Sequence, residues 1–382
     1  MDRTVARRDD SSPRRFLLVT GEASGDLHAA RLVEALRAHG PCEIQGVAGP
    51  QLRAAGVECL IPAEELAMVG FSEIAARLPR LLATRGRLLE AWRRFRPAAV
   101  VLVDYPGFNL RIGPALKRRG ARIFYYIAPQ VWAWHPERAR AMARWVDQLA
   151  VVFLFEEPIF RAAGVPVQFV GHPLLDDLAP EVNEEVFRSE IGASAGQRIL
   201  GLLPGSRPQE IERPLAPLLG AATRLQSVRS DLRVVLALAP GLELAGGHAL
   251  GGIEVVRGRT RATQAFATAC AVASGTATLE TALFGTPLVV LYRTGWFNYA
   301  IARRLVTLPR IGLPNIVAGR EVVPELIQDR LTPEALATAL ATWLDDPLAR
   351  AACRRDLAGL RDSLGGAGAS ARAARLLWDM SA

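Results

Sequence analysis

Apolar residues follow two rhythms along the chain. Continuous apolar runs rich in Val, Leu and Ile mark candidate strands at Phe16–Thr20, Glu43–Ala48, Ala98–Asp104, Arg122–Ile127, Gln148–Phe153 and Val167–Gly171. The pattern resumes at Arg198–Leu203, Leu232–Leu238, Ile253–Arg257, Cys270–Ser274 and Leu288–Tyr292. Between most of these lie stretches with apolar residues three or four apart, as in Asp26–Ala38, where Leu27, Ala30, Val33 and Leu36 share one face. Strands that are apolar at every position must be covered on both sides, which calls for parallel sheet layered between helices. The predicted class is α/β, with two Rossmann-like, doubly wound domains.

The rhythm breaks at about Pro173–Ser194, a segment with Pro173, Pro180, Asp176, Asp177 and several Glu, and a fresh strand-then-glycine pattern begins at Arg198. A chain of 382 residues suits two such domains. The expected division is a polar tail at 1–15, a first domain at 16–175, a second at 176–365, and a segment 366–382 whose helix, Ala369–Met380, packs back on the first. The Ala239–Gly252 crossover is glycine-rich and shorter than the helix such a connection usually carries. The tail Met1–Arg15 holds five Arg and three Asp but no apolar segment, so it reads as a frayed end and not a signal peptide. A cytoplasmic protein is expected, and no apolar run reaches the ~20 residues of a spanning helix.

Composition adds two constraints. Half of the residues are hydrophobic and 22% are charged, enough apolar material for packed cores. The net charge of +8 invites a nucleic-acid reading, yet all 46 basic residues except Lys117 are Arg, spread over many helices and not gathered with aromatics on a recognisable module. No nucleic-acid partner is expected; the charge favours a phosphate-bearing substrate or an acidic membrane surface. Cys42, Cys59, Cys270 and Cys353 are scattered, without metal or disulfide spacing, and read as packing residues.

In open α/β sheets, ligands bind beyond the carboxyl ends of the strands, and four clusters follow strands directly. Gly21-Glu-Ala-Ser-Gly25-Asp26 puts two glycines before a helix, letting backbone approach a ligand; Asp26 either touches that ligand or caps the helix. Asp104-Tyr-Pro-Gly-Phe-Asn109 exposes a carboxylate suited to general-base work, or to closing the loop as an Asx-turn. Pro204-Gly-Ser-Arg207 combines free backbone N–H groups with a guanidinium suited to phosphate. Ser274-Gly-Thr276 offers another anion-binding helix start, with Glu280 one turn on, where it could accept both ribose hydroxyls.

At these residues the chain resembles the lipid-A-disaccharide synthase family, glycosyltransferases of the two-Rossmann (GT-B) architecture with the active site in the interdomain cleft. The resemblance runs through Gly21–Asp26, Gly46–Pro50, Asp104–Asn109, Pro129-Gln-Val-Trp-Ala-Trp134, Gly171-His-Pro173, Leu203–Arg207, Ser274–Thr276 with Glu280, Leu313-Pro-Asn315 and Ala318-Gly-Arg-Glu321. It implies transfer of 2,3-diacylglucosamine from UDP-2,3-diacylglucosamine to 2,3-diacylglucosamine 1-phosphate, giving a β-1,6-linked disaccharide and UDP by inverting, metal-independent chemistry. Asp104 is then the base and Arg207 the group that steadies the departing UDP. Gly205, Ser206, Arg207, Ser274, Gly275, Thr276, Glu280 and Asn315 form the UDP side; Gly21, Glu22, Ser24, Gly25, His28, Asn109 and Gln130 form the sugar side. No Asp-x-Asp pair or His cluster calls for a metal, His28, His135 and His172 each standing alone, and no cofactor is expected. His28 either touches substrate or is plain helix surface.

Acylated substrates imply peripheral contact with the anionic inner-membrane surface. Met68, Val69 and Phe71 read as lipid-facing, followed by a helix with Arg beside apolar positions. Its Leu81–Trp92 stretch reads as a helix packed on the sheet, with solvated arginines, in preference to a lipid-facing surface. The resemblance also raises a homodimer through the second domain, which no residue pattern specifies. The rival reading is an enzyme of the same fold like the UDP-N-acetylglucosamine epimerases. A non-catalytic sugar-binding protein would call for an export signal.

Overall fold

The computed structural model describes residues 12–67, 74–132, 136–205, 208–239, 242, 244, 250–295, 299 and 309–382. The chain divides into one unit of Met1–Asp176 with Leu364–Ala382 and another of Asp177–Ser363. Each is built on its own parallel sheet, and the predicted α/β class with two doubly wound sheets is what the described residues form.

The first sheet contains β1 (Arg14–Val19), β2 (Cys42–Ala48), β3 (Glu58–Pro62), β4 (Ala99–Val103), β5 (Ile123–Tyr126), β6 (Gln148–Val151) and β7 (Val167–Phe169). Their order is β3-β2-β1-β4-β5-β6-β7, all parallel. The central pair β1 and β4 is buried at every position from Phe16 to Val19 and from Ala99 to Val103. Each large aliphatic side chain buried there contributes ~1.5–3 kcal/mol. Gly46 of β2 has φ 154°, and a Cβ there would lie 1.9 Å from the Leu18 carbonyl oxygen, so only glycine lets β2 approach β1 at this point.

The second sheet contains β8 (Arg198–Leu203), β9 (Leu232–Leu238), β10 (Glu254–Arg257), β11 (Ala269–Ala273), β12 (Leu288–Tyr292) and β13 (Glu325–Ile327). The order β10-β9-β8-β11-β12-β13 repeats the plan of the first, again all parallel. Neither β3 nor β13 is announced by the hydrophobic pattern. Both are edge strands, short and partly solvated, so neither needs an unbroken apolar run. Most of the Ala239–Gly252 crossover lies outside the described residues.

The first helix runs Ala23–Arg37, three residues earlier than its pattern suggests. Its buried face is Ala29, Ala30, Leu32, Val33 and Leu36; Leu27 is only half-buried. Asp26 caps a helix, but not its own. Its buried carboxylate accepts from the Gly49 and Gln51 N–H groups, both at 2.8 Å, at the start of helix Pro50–Ala54. Helix Ala369–Met380 belongs to the first unit, where the Asp176 carboxylate accepts from the N–H groups of Gly368, Ala369 and Ser370. Trp378 stacks on His39, and the Arg14 guanidinium lies over its indole at 3.9 Å.

Candidate active site

Both sheets reverse strand order beside their first strand, between β1 and β4 and between β8 and β11. A crevice opens at the carboxyl end of such a switch point, because the two flanking connections leave in opposite directions. All four sequence clusters begin there: Gly21–Asp26 after β1, Asp104–Asn109 after β4, Gly205 after β8 and Ser274–Thr276 after β11.

In the first unit the two loops interlock. Gly21 lies under the Tyr105 ring so closely that a Cβ would sit 2.4 Å from it, and a Cβ on Gly25 would lie 2.6 Å from the Thr20 hydroxyl oxygen. Asp104 and Tyr105 both have left-handed backbone, φ 47° and 45°, and Ile127 after β5 has φ 64°. Three of the five described non-glycine residues with positive φ thus sit on one strand-end rim, where strain of ~1–3 kcal/mol each must be held by neighbours. The holders are visible. The Asn109 amide donates to the carbonyls of Asp104 at 2.7 Å and Val103 at 3.2 Å, and the Tyr125 hydroxyl donates to the Asp104 carbonyl at 2.8 Å. Turn closure therefore does not need the Asp104 carboxyl. Asn109, assigned to the sugar side by its sequence position, is fully buried and braces the loop instead.

Burial pushes the Asp104 carboxyl up to about 7, the Glu22 charge adds to the rise, and the Tyr105 backbone N–H opposes it. Glu22, Ser24, Gly25 and His28 are all at this helix start. His28 is not helix surface: it is 7% exposed, with its ring edge-on to His172 at 6.4 Å. His172 accepts from the Leu174 N–H through Nδ1, and burial followed by the neighbouring His28 lowers it to about 3, so it stays neutral. Gln130 is exposed on the loop after β5. One residue that the motifs did not single out is Glu156, 1% exposed, immediately after the β6 run. A carboxylate directly after the apolar run Leu149–Phe155 was the available signal.

In the second unit the loops are of another kind. Gly205 has φ 130°, and Ser206 and Arg207 lie outside the described residues. Gly275 has φ 150° and ψ −167°, a conformation open essentially to glycine alone, and a Cβ there would meet nothing within 4 Å. It starts helix Thr276–Leu283, while the Ser274 hydroxyl donates to the Ile311 carbonyl at 3.4 Å. Glu280 is not an open acceptor: it is mostly buried and accepts from Arg261 Nε at 3.2 Å. Burial raises its carboxyl, with Arg261 the chief opposing influence. Asn315 needs a larger correction. Its side chain donates to the Val323 carbonyl and to Glu325, and accepts from the Val322 and Val323 N–H groups. Those four bonds fill its capacity, so the residue braces the segment before β13 and has no polar valence left for UDP.

The Met68, Val69, Phe71 segment and His135 lie outside the described residues. In helix Ile74–Phe95, Leu88 is fully buried and Leu81, Leu89 and Trp92 pack on the first unit's core, so the stretch from Leu81 to Trp92 is a helix on the sheet. Leu82 stays 54% exposed. No described helix is long and apolar enough to cross a membrane.

A family model described as lipid-A-disaccharide synthetase matches residues 16–357. The chain belongs to that family. Among curated relatives, the lipid-A-disaccharide synthase of Geobacter metallireducens is 40% identical over 373 residues, covering 96% of this chain and 97% of its own. That of Syntrophus aciditrophicus is 42% identical over 366 residues, 94% and 95% of the two chains. The family member described here is accordingly a glycosyltransferase of lipid A biosynthesis. Solved structures similar to it include a putative UDP-N-acetylglucosamine 2-epimerase from Listeria monocytogenes, at TM-score 0.66 and 15% identity over 96% of this chain and 95% of that one. The glycotransferase of kitacinnamycin reaches TM-score 0.65 at 16% identity, over 97% and 100%. At such identities these neighbours speak for the GT-B fold alone.

Proposed function

We propose that this synthase transfers 2,3-diacylglucosamine from UDP-2,3-diacylglucosamine to the 6-hydroxyl of 2,3-diacylglucosamine 1-phosphate, with inversion at the anomeric carbon. The observation that carries the mechanism is Asp104, a carboxyl at the first switch point whose proton affinity is pushed up to about 7. A sugar hydroxyl is a weak nucleophile, and the best base for it at neutral pH titrates near neutrality. As the acceptor oxygen bonds to the anomeric carbon, its proton passes to Asp104 and the bond to UDP breaks. The charge gathering on UDP is met by Arg207 and by the helix starts after Gly205 and Gly275, donors that need no reorganisation during the reaction.

UDP on the second unit is supported by its two glycine-bearing helix starts. A fold neighbour from Neisseria meningitidis, a UDP-GlcNAc 2-epimerase at TM-score 0.63, was solved bound to UDP-GlcNAc. Relatives at about two-fifths identity along nearly the whole chain favour transfer over epimerisation. Peripheral contact with anionic lipid is assigned to Met68, Val69 and Phe71 on sequence grounds.

The test supplies purified protein with both acylated sugars and follows disaccharide and UDP by mass spectrometry. Equimolar products are expected. Wild-type protein that makes no disaccharide sinks the substrate assignment.

A further inference from the structure

The carboxyl edge of the first sheet carries more than Asp104. On the three neighbouring strands β4, β5 and β6, the following loops bear Asp104, Trp132 and Glu156 in turn. Glu156 is buried, and its two oxygens point to different loops. Oε1 accepts from the Trp132 indole N–H at 2.9 Å, and Oε2 accepts from the Phe153 backbone N–H at 3.3 Å. Trp132, partly exposed, meets Phe155 edge-to-face at 5.1 Å. Phe155 stacks on Phe153, which in turn meets the His172 ring.

Among the described residues no Arg or Lys pairs with Glu156, and the acid nearest in charge is Asp104, a like partner. A glutamine would accept the same indole N–H without that repulsion. Burial, with the Asp104 charge adding to it, pushes the Glu156 carboxyl up to about 8. The left-handed backbone at Asp104, Tyr105 and Ile127 shows that this rim is held against local strain. Substrate orientation is served by side chains whose positions are fixed before binding.

We propose that Glu156 is a positioning residue for the transfer reaction, holding the Trp132 indole so that the β5 loop presents a fixed wall to the sugar at Asp104. The proposal rests on the reading of Asp104 as the base. Glu156 acts through Trp132 and touches no reacting atom.

Four variants test it in the disaccharide assay. Trp132→Phe keeps an aromatic ring and loses the N–H; it is expected to lower kcat about tenfold, with KM for either sugar changed less than about twofold. Glu156→Ala is expected to match that loss, and the double variant to lose no more than the larger single, because both remove one interaction. Glu156→Gln, which retains an accepting oxygen, is expected to return kcat to within about threefold of wild type. Subtracting the Trp132→Phe emission spectrum isolates Trp132, whose emission shifts in Glu156→Ala and stays in Glu156→Gln. Wild-type kcat in Trp132→Phe, additive losses in the double variant, or Gln no better than Ala would overturn the proposal. Should Glu156→Ala not fold, Trp132→Phe and Glu156→Gln still decide it. Inactive wild-type protein would count against the substrate assignment, whereas active wild type with indifferent variants counts only against Glu156.

Discussion

The two switch points share one topology and differ in chemistry. In the first unit the charge of Asp104 is coupled to those of Glu22 and of the buried Glu156, and Asp104 and Glu156 are pushed toward or above neutrality. Its glycine, Gly21, is required because Tyr105 fills the space a Cβ would take. In the second unit the glycine Gly275 faces open space and is required only by its backbone angles. The first set of loops raises the proton affinity of buried carboxyls, whereas the second turns into its helix at a glycine with backbone angles that other residues rarely adopt. A repeated fold therefore says where a ligand binds, and the loops decide what happens to it.

The sharpest way to break that contrast is Asp104→Asn. It preserves size and removes the base, so kcat is expected to fall ~10²–10⁴-fold with the fold intact, read from disaccharide formation and circular dichroism. Wild-type kcat/KM is expected to rise with pH through about 7 as Asp104 ionises. Stability carries the opposite sign. A carboxyl raised on folding stabilises most below its ordinary range and loses that contribution as pH rises through about 7, so Asp104→Asn is expected to melt above wild type at pH 8. Equal melting temperatures across this range would mean that the carboxyl is not buried as described.

Arg207→Ala probes the group proposed to meet the charge on UDP. Loss of the guanidinium is expected to cost ~10²–10³-fold in kcat with the acid limb of the pH profile unmoved, since the proposed base is Asp104. A displaced acid limb would erase the division of labour.

The paired glycine variants sharpen the comparison further. Gly21→Ala drives a methyl into the Tyr105 ring and is expected to destabilise by ~1–3 kcal/mol in urea unfolding. Gly275→Ala meets no atom, but its backbone must relax at ~1–3 kcal/mol, and the helix start shifts; the expected readout is a rise in donor KM of about tenfold. The smallest functional effect is expected for Asn315→Ala, with ~1–3 kcal/mol lost in stability and donor KM nearly unchanged. A large change in donor KM would restore Asn315 to the nucleotide site.

Much of this was legible in the chain. Continuous apolar runs announced most strands, because a parallel sheet covered on both faces admits little else, and the glycine clusters announced the crevices. The edge strands β3 and β13 were hidden by their short, mixed composition. Residue roles were less legible. Asn109 and Asn315 occupy motif positions, yet both spend their amides on backbone carbonyls or N–H groups brought near only by folding. Asp26 caps the helix that begins at Pro50, far along the chain, and no local pattern records that.

By itself the sequence determined the fold class, the two-unit plan and the family, because hydrophobic period and loop chemistry are properties of neighbouring residues. Only the tertiary structure decided which polar groups remain available for ligands and how strongly Asp104 and Glu156 hold their protons. Those depend on burial and on charges distant along the chain, and both exist only once the strands stand side by side.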